Sequence, residues 1–130
     1  MTQTRISSVM RTDILLLTEE APIRTAAARL VDARAAAAPV VADDVRMVGL
    51  LTQKDCFRSA LHASYYREWS GRVADHMSTN IVTVQPNDDI IAVAEMFLKH
   101  PHRVFPVCDA ERVLGLVHRS DVLTELIRLG

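Results

Sequence analysis

Two short stretches place a carboxylate four residues past the end of an apolar run, where a helical pattern begins. They are Thr52-Gln53-Lys54-Asp55 after Gly49-Leu50-Leu51, and His118-Arg119-Ser120-Asp121 after Gly115-Leu116-Val117. An ionised carboxylate only accepts hydrogen bonds, so one Asp can take both hydroxyls of a vicinal diol such as that of a ribose. The first turn of a helix adds unpaired N–H groups and a positive dipole end, which suit a phosphate. The same spacing also has a purely local use. Ser/Thr-x-x-acid is the capping-box pattern, which stabilises a helix start with no ligand present. Taken alone, Thr52 and Asp55 favour the cap, and the two roles can coexist.

No other reactive side chains assemble into a comparable pattern. Cys56 and Cys108 lie inside apolar segments and read as buried reduced thiols. Neither reads as a nucleophile, because no activating His arrangement or oxyanion loop accompanies it. His100-Pro101-His102 has no acid or Cys at ligand spacing, so no metal site is predicted there. Gly-rich phosphate loops and the zinc-protease helix motif are absent. No motif places a catalytic residue.

The elements that must position the two carboxylates occur twice. Ile6-Ser7-Ser8-Val9-Met10 aligns with Val73-Ala74-Asp75-His76-Met77 at an offset of 67 residues. The same offset carries Ile23 onto Ile90, Ala27 onto Ala94, and Ala38-Pro39-Val40 onto Phe105-Pro106-Val107. One residue is then lost in a turn, and an offset of 66 carries Gly49 onto Gly115 and Asp55 onto Asp121. Such self-similarity is the mark of a duplicated structural unit.

Each copy predicts a βαββα order. Ile14 to Leu17 and Ile81 to Val84 read as short strands, followed by polar turns ending near Pro22 and Pro86. Ile23, Ala26, Ala27, Leu30 and Val31 mark the apolar face of one helix, and Ile90, Val93, Ala94 and Phe97 that of its counterpart. Hairpins follow, turning through Asp43-Asp44 and through Asp109-Ala110-Glu111. Closing helices are expected from Gln53 to about Ala63 and from Arg119 to about Leu129. The organisation is therefore repeat one over 6–63, a linker over 64–72 and repeat two over 73–129. In the linker, Tyr65, Tyr66 and Trp69 read as aromatic anchors. One copy has too little surface to bury its strands alone, so the expected fold is α+β, with two repeats packed by pseudo-twofold symmetry.

Composition narrows the function classes. The 130 residues are 49% hydrophobic and 24% charged, with a net charge of −1, an ordinary globular balance. No basic excess supports affinity for nucleic acid or an anionic membrane. Met1 to Arg5 lacks the apolar run of a signal peptide, and no window reaches the 18 or so apolar residues of a membrane span. A cytoplasmic protein is expected.

With the duplication and its motifs laid out, the sequence resembles a tandem pair of CBS domains, a Bateman module, over about Ile6 to Arg128. The resemblance rests on Val9-Met10 and His76-Met77, on Ala38-Pro39-Val40-Val41 and Phe105-Pro106-Val107, and on the runs from Gly49 to Asp55 and from Gly115 to Asp121. It implies a regulatory module rather than an enzyme. It further implies an adenosine-containing ligand (AMP, ADP, ATP or S-adenosylmethionine) in two clefts between the repeats, and a homodimer of two such pairs.

Carried over by resemblance, the first cleft takes Thr52, Lys54 and Asp55 from repeat one, with Ile81, Val82 and Arg103-Val104-Phe105-Pro106 from repeat two. Arg103 is the side chain expected to reach a phosphate, with Lys54 and Arg119 behind it; its other reading is a solvated surface charge. Apolar residues suit an adenine ring, and exposed strand backbone suits its amine. The second cleft takes His118, Arg119 and Asp121 with Leu15, Leu16 and the Ala36-Ala37-Ala38-Pro39 segment. Here His118 replaces the hydroxyl residue and alanines precede Pro39, so tighter binding is expected at Asp55. No cofactor is obligatory, and magnesium beside the phosphates stays open. A separate effector protein would read the ligand-driven change. The competing reading is a structural dimerisation module whose clefts hold no nucleotide.

Overall fold

The computed structural model of the chain describes residues 4–43 and 45–130. Asp44 of the expected first hairpin turn, and residues 1–3 of the N-terminal reading, lie outside the described residues. The fold is α+β. Its elements are α1 (Ile23–Asp32), β1 (Ala37–Ala42), β2 (Arg46–Thr52), α2 (Phe57–Tyr66), α3 (Val73–His76), α4 (Ile90–Lys99), β3 (Val104–Asp109), β4 (Arg112–His118) and α5 (Arg119–Leu129). Short 3-10 turns cover Ile6–Ser8 and Lys54–Cys56.

The chain divides into two compact units that do not coincide with the sequence repeats. One is Leu15–Ile81; the other joins Met1–Ile14 to Val82–Gly130. The opening segment of each repeat therefore packs in the unit that holds the other repeat's hairpin.

In the Leu15–Ile81 unit, β1 and β2 form an antiparallel hairpin with Pro39 opposite Leu50 and a bulge at Val40/Val41. Its core gathers Leu17, Ile23, Ala26, Leu30, Ala38, Val40, Leu51, Cys56 and Val73. The α1 periodicity buries Ile23, Ala26 and Leu30 as expected, whereas Val31 is exposed, being one residue beyond the buried stripe. The segment read as a first strand is reduced to one parallel bridge at Leu17, whose N–H donates to Pro39 O and whose carbonyl accepts from Val41 N–H.

The other unit repeats this plan. The β3–β4 hairpin sets Pro106 opposite Leu116 with its bulge at Val107/Cys108. Val84 makes the matching single bridge to Val107. Ile6, Val84, Ile90, Val93, Phe105, Val107, Val117 and Val122 form the core, with Val9, Met10, Ala94 and Phe97 packed against it. Pro86 lies in the turn before α4, whose N-cap is Asp89, so the helix starts later after its proline than α1 does after Pro22. The single-residue slip falls in the hairpin turns, as the offsets require: β1 and β2 close at Ala42 opposite Arg46, β3 and β4 at Asp109 opposite Arg112.

α2 runs past Ala63 to Tyr66 and ends with Arg67 in the left-handed region at φ 58°. Trp69 packs against the Leu15–Ile81 core, whereas Tyr65 and Tyr66 are 81% and 70% exposed on α2, where the Tyr66 ring lies 4.7 Å from that of His62.

Candidate functional site

Asp55 and Asp121 occupy equivalent points of the duplication in different chemical company. Thr52 ends β2, and Asp55 sits in the 3-10 turn that leads into α2. The Thr52 N–H donates to Asp55 Oδ2 at 2.9 Å, and the Asp55 N–H donates to Thr52 Oγ1 at 3.1 Å. This is the reciprocal arrangement of a capping box. The junction is pinned further by Gln53, whose N–H donates to Ala36 O and whose Nε2 donates to Ala35 O, both at 2.8 Å. Asp55 is half-buried and Lys54 exposed.

At the second point, His118 ends β4 and α5 begins at once with Arg119. His118 supplies no side-chain cap. The Asp121 carboxylate is instead held by Arg11, which sequence reasoning did not single out. Arg11 Nε donates to Asp121 Oδ2 at 2.7 Å and Nη2 donates to Oδ1 at 3.0 Å, a two-pronged pair. The bond to Arg11 holds the Asp121 carboxyl below its ordinary range, and the same bond raises the Arg11 guanidinium. His118 Nδ1 is buried with no hydrogen-bond partner among the described residues, 3.9 Å from Asp121 Oδ2. Burial first, and the Arg11 charge second, push the His118 imidazole down, against the pull of Asp121.

Arg11 is held there by its backbone. Its N–H donates to Leu116 O at 2.8 Å and its carbonyl accepts from Leu116 N–H at 2.9 Å. Ser78 makes the same two bonds with Leu50 in the other unit. The duplication thus sets Arg11 against Ser78, and His118 against Thr52. That pairing was the available signal: a basic residue directly after the opening Val-Met in one copy only.

The residues assigned to each cleft are divided between the units. Thr52, Lys54, Asp55 and Ile81 belong to Leu15–Ile81, while Val82 and residues 103–106 belong to the other. Likewise Leu15, Leu16 and Ala38 fall in the first, and His118, Arg119 and Asp121 in the second. Ile81, Val82, Leu15 and Leu16 are half-buried, and Arg103 and Arg119 exposed. Ala38, Val104, Phe105 and Pro106 are buried. The Phe105 ring is a core element, stacked on Phe97 at 4.3 Å between centroids, with His102 at 5.6 Å and His100 at 6.0 Å. Apolar burial places these side chains in the core of their unit. In the strand backbone expected to meet an adenine amine, Pro106 O accepts from Val84 N–H and Arg103 O from Arg119 N–H, which leaves each carbonyl a second lone pair.

Burial raises the thiol pKa values of Cys56 and Cys108, for Cys56 with a smaller push from the Asp55 charge. Both are free and buried, as reduced core thiols should be. No helix among the described residues is long and apolar enough to cross a membrane.

These features define a tandem-repeat α+β module with a carboxylate at each closing-helix start. The family description that matches is the CBS domain, over residues 6–62 and 73–128, and the chain belongs to that family. It is similar to the human 5'-AMP-activated protein kinase subunit gamma-3, 30% identical over 121 residues that cover 88% of this chain and 25% of that subunit. The chain spans from about a quarter to two-fifths of the length of the curated relatives it matches. Among solved structures it resembles CBSX2 in complex with AMP, at 20% identity and TM-score 0.83 over 96% of this chain and 97% of that one. CBSX2 is a CBS-pair protein from Arabidopsis thaliana. It also resembles the CBS domain pair of MJ0100 in complex with 5'-methylthioadenosine and S-adenosyl-L-methionine, at 19% identity and TM-score 0.83 over 99% and 100% of the two chains.

Proposed function

We propose that this chain is a ligand-responsive regulatory module, not an enzyme, and that Asp55 accepts the ribose hydroxyls of an adenosine-containing ligand. The observation that carries this reading is the locked geometry at Asp55. The Thr52 N–H engages one carboxylate oxygen, which fixes the group at a helix start while leaving it half-exposed. A carboxylate fixed before the ligand arrives loses less freedom on binding. Membership of the CBS family supports the ligand class, since CBSX2 was solved with AMP and MJ0100 with S-adenosyl-L-methionine. Ligand binding would shift the balance between conformations according to its differential affinity, and a separate effector protein would read the shift.

Calorimetric titration with AMP, ATP and S-adenosylmethionine tests the reading, with and without magnesium. Asp55→Ala should lose most of the affinity and Asp121→Ala much less. Equal losses from both changes overturn the assignment. A ligand at 100 times its Kd should add about 2.7 kcal/mol of stability, visible as a raised Tm.

A second reading is favoured by apolar surface on the closing helices. Phe57, Leu61 and Tyr65 form an exposed stripe on α2 at four-residue spacing, and Leu123 and Ile127 repeat it on α5. We infer a homodimer through these faces. A dimer whose Tm does not respond to any of the three ligands would make dimerisation the whole function.

A further inference from the structure

We propose that Arg11 is a latch on the repeat-two site: its guanidinium occupies the Asp121 carboxylate, so a ligand can use Asp121 only by displacing it. The proposal rests on reading these Asp residues as diol acceptors and adds regulation to one of them. Both Asp121 oxygens are engaged by Arg11, whereas at Asp55 the capping bond from Thr52 uses Oδ2 alone. A carboxylate forked by a guanidinium has its best lone-pair directions taken, and a neutral diol offers weaker hydrogen bonds than a charged donor.

The latch is built into the chain. The two backbone bonds between Arg11 and Leu116 fix where the guanidinium starts, and Gly115 leaves room for the Arg11 carbonyl against β4. The side chain itself is 54% exposed, so it can swing away without opening a core. Repeat one has no counterpart, because Ser78 stands where Arg11 does and is too short and uncharged to fork a carboxylate. The duplication has thus yielded one carboxylate set by a capping box and one held by an internal cation. The ligand class follows from the chemistry. The latched site disfavours a ligand that brings only a diol, and a phosphate-bearing one has an advantage because it offers the displaced guanidinium a new anionic partner.

Adenosine, which carries the diol but no charge, isolates the latch. Its affinity would be measured by calorimetry in Asp55→Asn protein, where Asn keeps an oxygen for the Thr52 N–H and the repeat-two site reports alone. Adding Arg11→Met, which keeps most of the stem, should tighten adenosine binding about fivefold, the size expected for a partly exposed two-pronged pair. Arg11→Lys, which keeps the charge and loses the fork, should give a smaller gain. The gain should vanish when Asp121→Asn is added. Raising ionic strength should help adenosine only while Arg11 is present, because salt screens the pair. If Arg11→Met leaves affinity unchanged or lowers it while the wild type binds AMP, the latch is overturned and the nucleotide reading stands. If the wild type binds neither AMP nor adenosine, the nucleotide reading fails and the gate falls with it.

Discussion

Gly115 lies directly against the carbonyl of Arg11, and a methyl group on its Cα would collide with that oxygen. The equivalent Gly49 faces the Met77 side chain instead, with its Cγ 2.9 Å from where a Cβ would stand. A backbone carbonyl bonded to Leu116 cannot yield, whereas a thioether side chain can change rotamer. Gly115→Ala should therefore cost about 2–3 kcal/mol and Gly49→Ala about 1 kcal/mol. Chemical denaturation of both variants checks this, and equal losses would refute it.

The β3–β4 turn contains a strained residue that costs stability. Ala110 sits at φ 56°, a left-handed conformation that a Cβ disfavours. Asp43, its counterpart, adopts φ 46° with a side chain better suited to that region. Ala110→Gly should stabilise the protein by about 0.5–1 kcal/mol and raise Tm by a few degrees. No change or a fall in Tm would show that the turn carries no such strain.

His118 makes stability depend on pH below neutrality. Its folded-state pKa lies below the ordinary 6.5, because burial and the Arg11 charge disfavour the imidazolium. The unfolded chain then binds the proton more readily, so stability is full above about pH 6.5 and falls as pH drops through that value towards the lowered pKa. Asp121 acts in a lower window: its depressed pKa keeps its contribution intact above about pH 4 and loses it as pH falls further. Urea midpoints between pH 7.5 and 5 should drop for the wild type and stay flatter for His118→Gln. Parallel curves would rule out His118 as the source.

Phe105 and Phe57 separate core from surface. Phe105 is fully buried, and Phe105→Ala should cost about 3–5 kcal/mol. Phe57 is 61% exposed on α2, so Phe57→Ala should change monomer stability by less than about 0.5 kcal/mol while weakening self-association. Denaturation and light scattering measure the two effects. A large stability loss from Phe57→Ala at low concentration would contradict the exposed-stripe argument.

Elements governed by short-range rules were legible from the residues. Apolar spacing at three and four positions marked α1 and α4, and the Pro-Val pairs and central glycines marked both hairpins. The shift of offset from 67 to 66 located the shortened turn between β3 and β4. Thr52 and Asp55 announced a capping geometry because both ends of that interaction lie within one turn. The runs around Leu17 and Val84 do not form the strands that their apolar character predicts. Apolar character shows that a segment is buried but not how many ladder partners it finds, and each run makes a single bridge.

What the tertiary structure alone decided is long-range partnership. Ile6 and Met10 pack with the hairpin of repeat two, and Val73 and Met77 with that of repeat one. Such short segments carry no periodicity of their own, so their location is set by which hairpin leaves room for them. Arg11 reaches Asp121 across 110 positions for the same reason. Periodicity and capping act over a few residues, whereas the choice of a distant partner depends on two surfaces that meet only once their unit has folded.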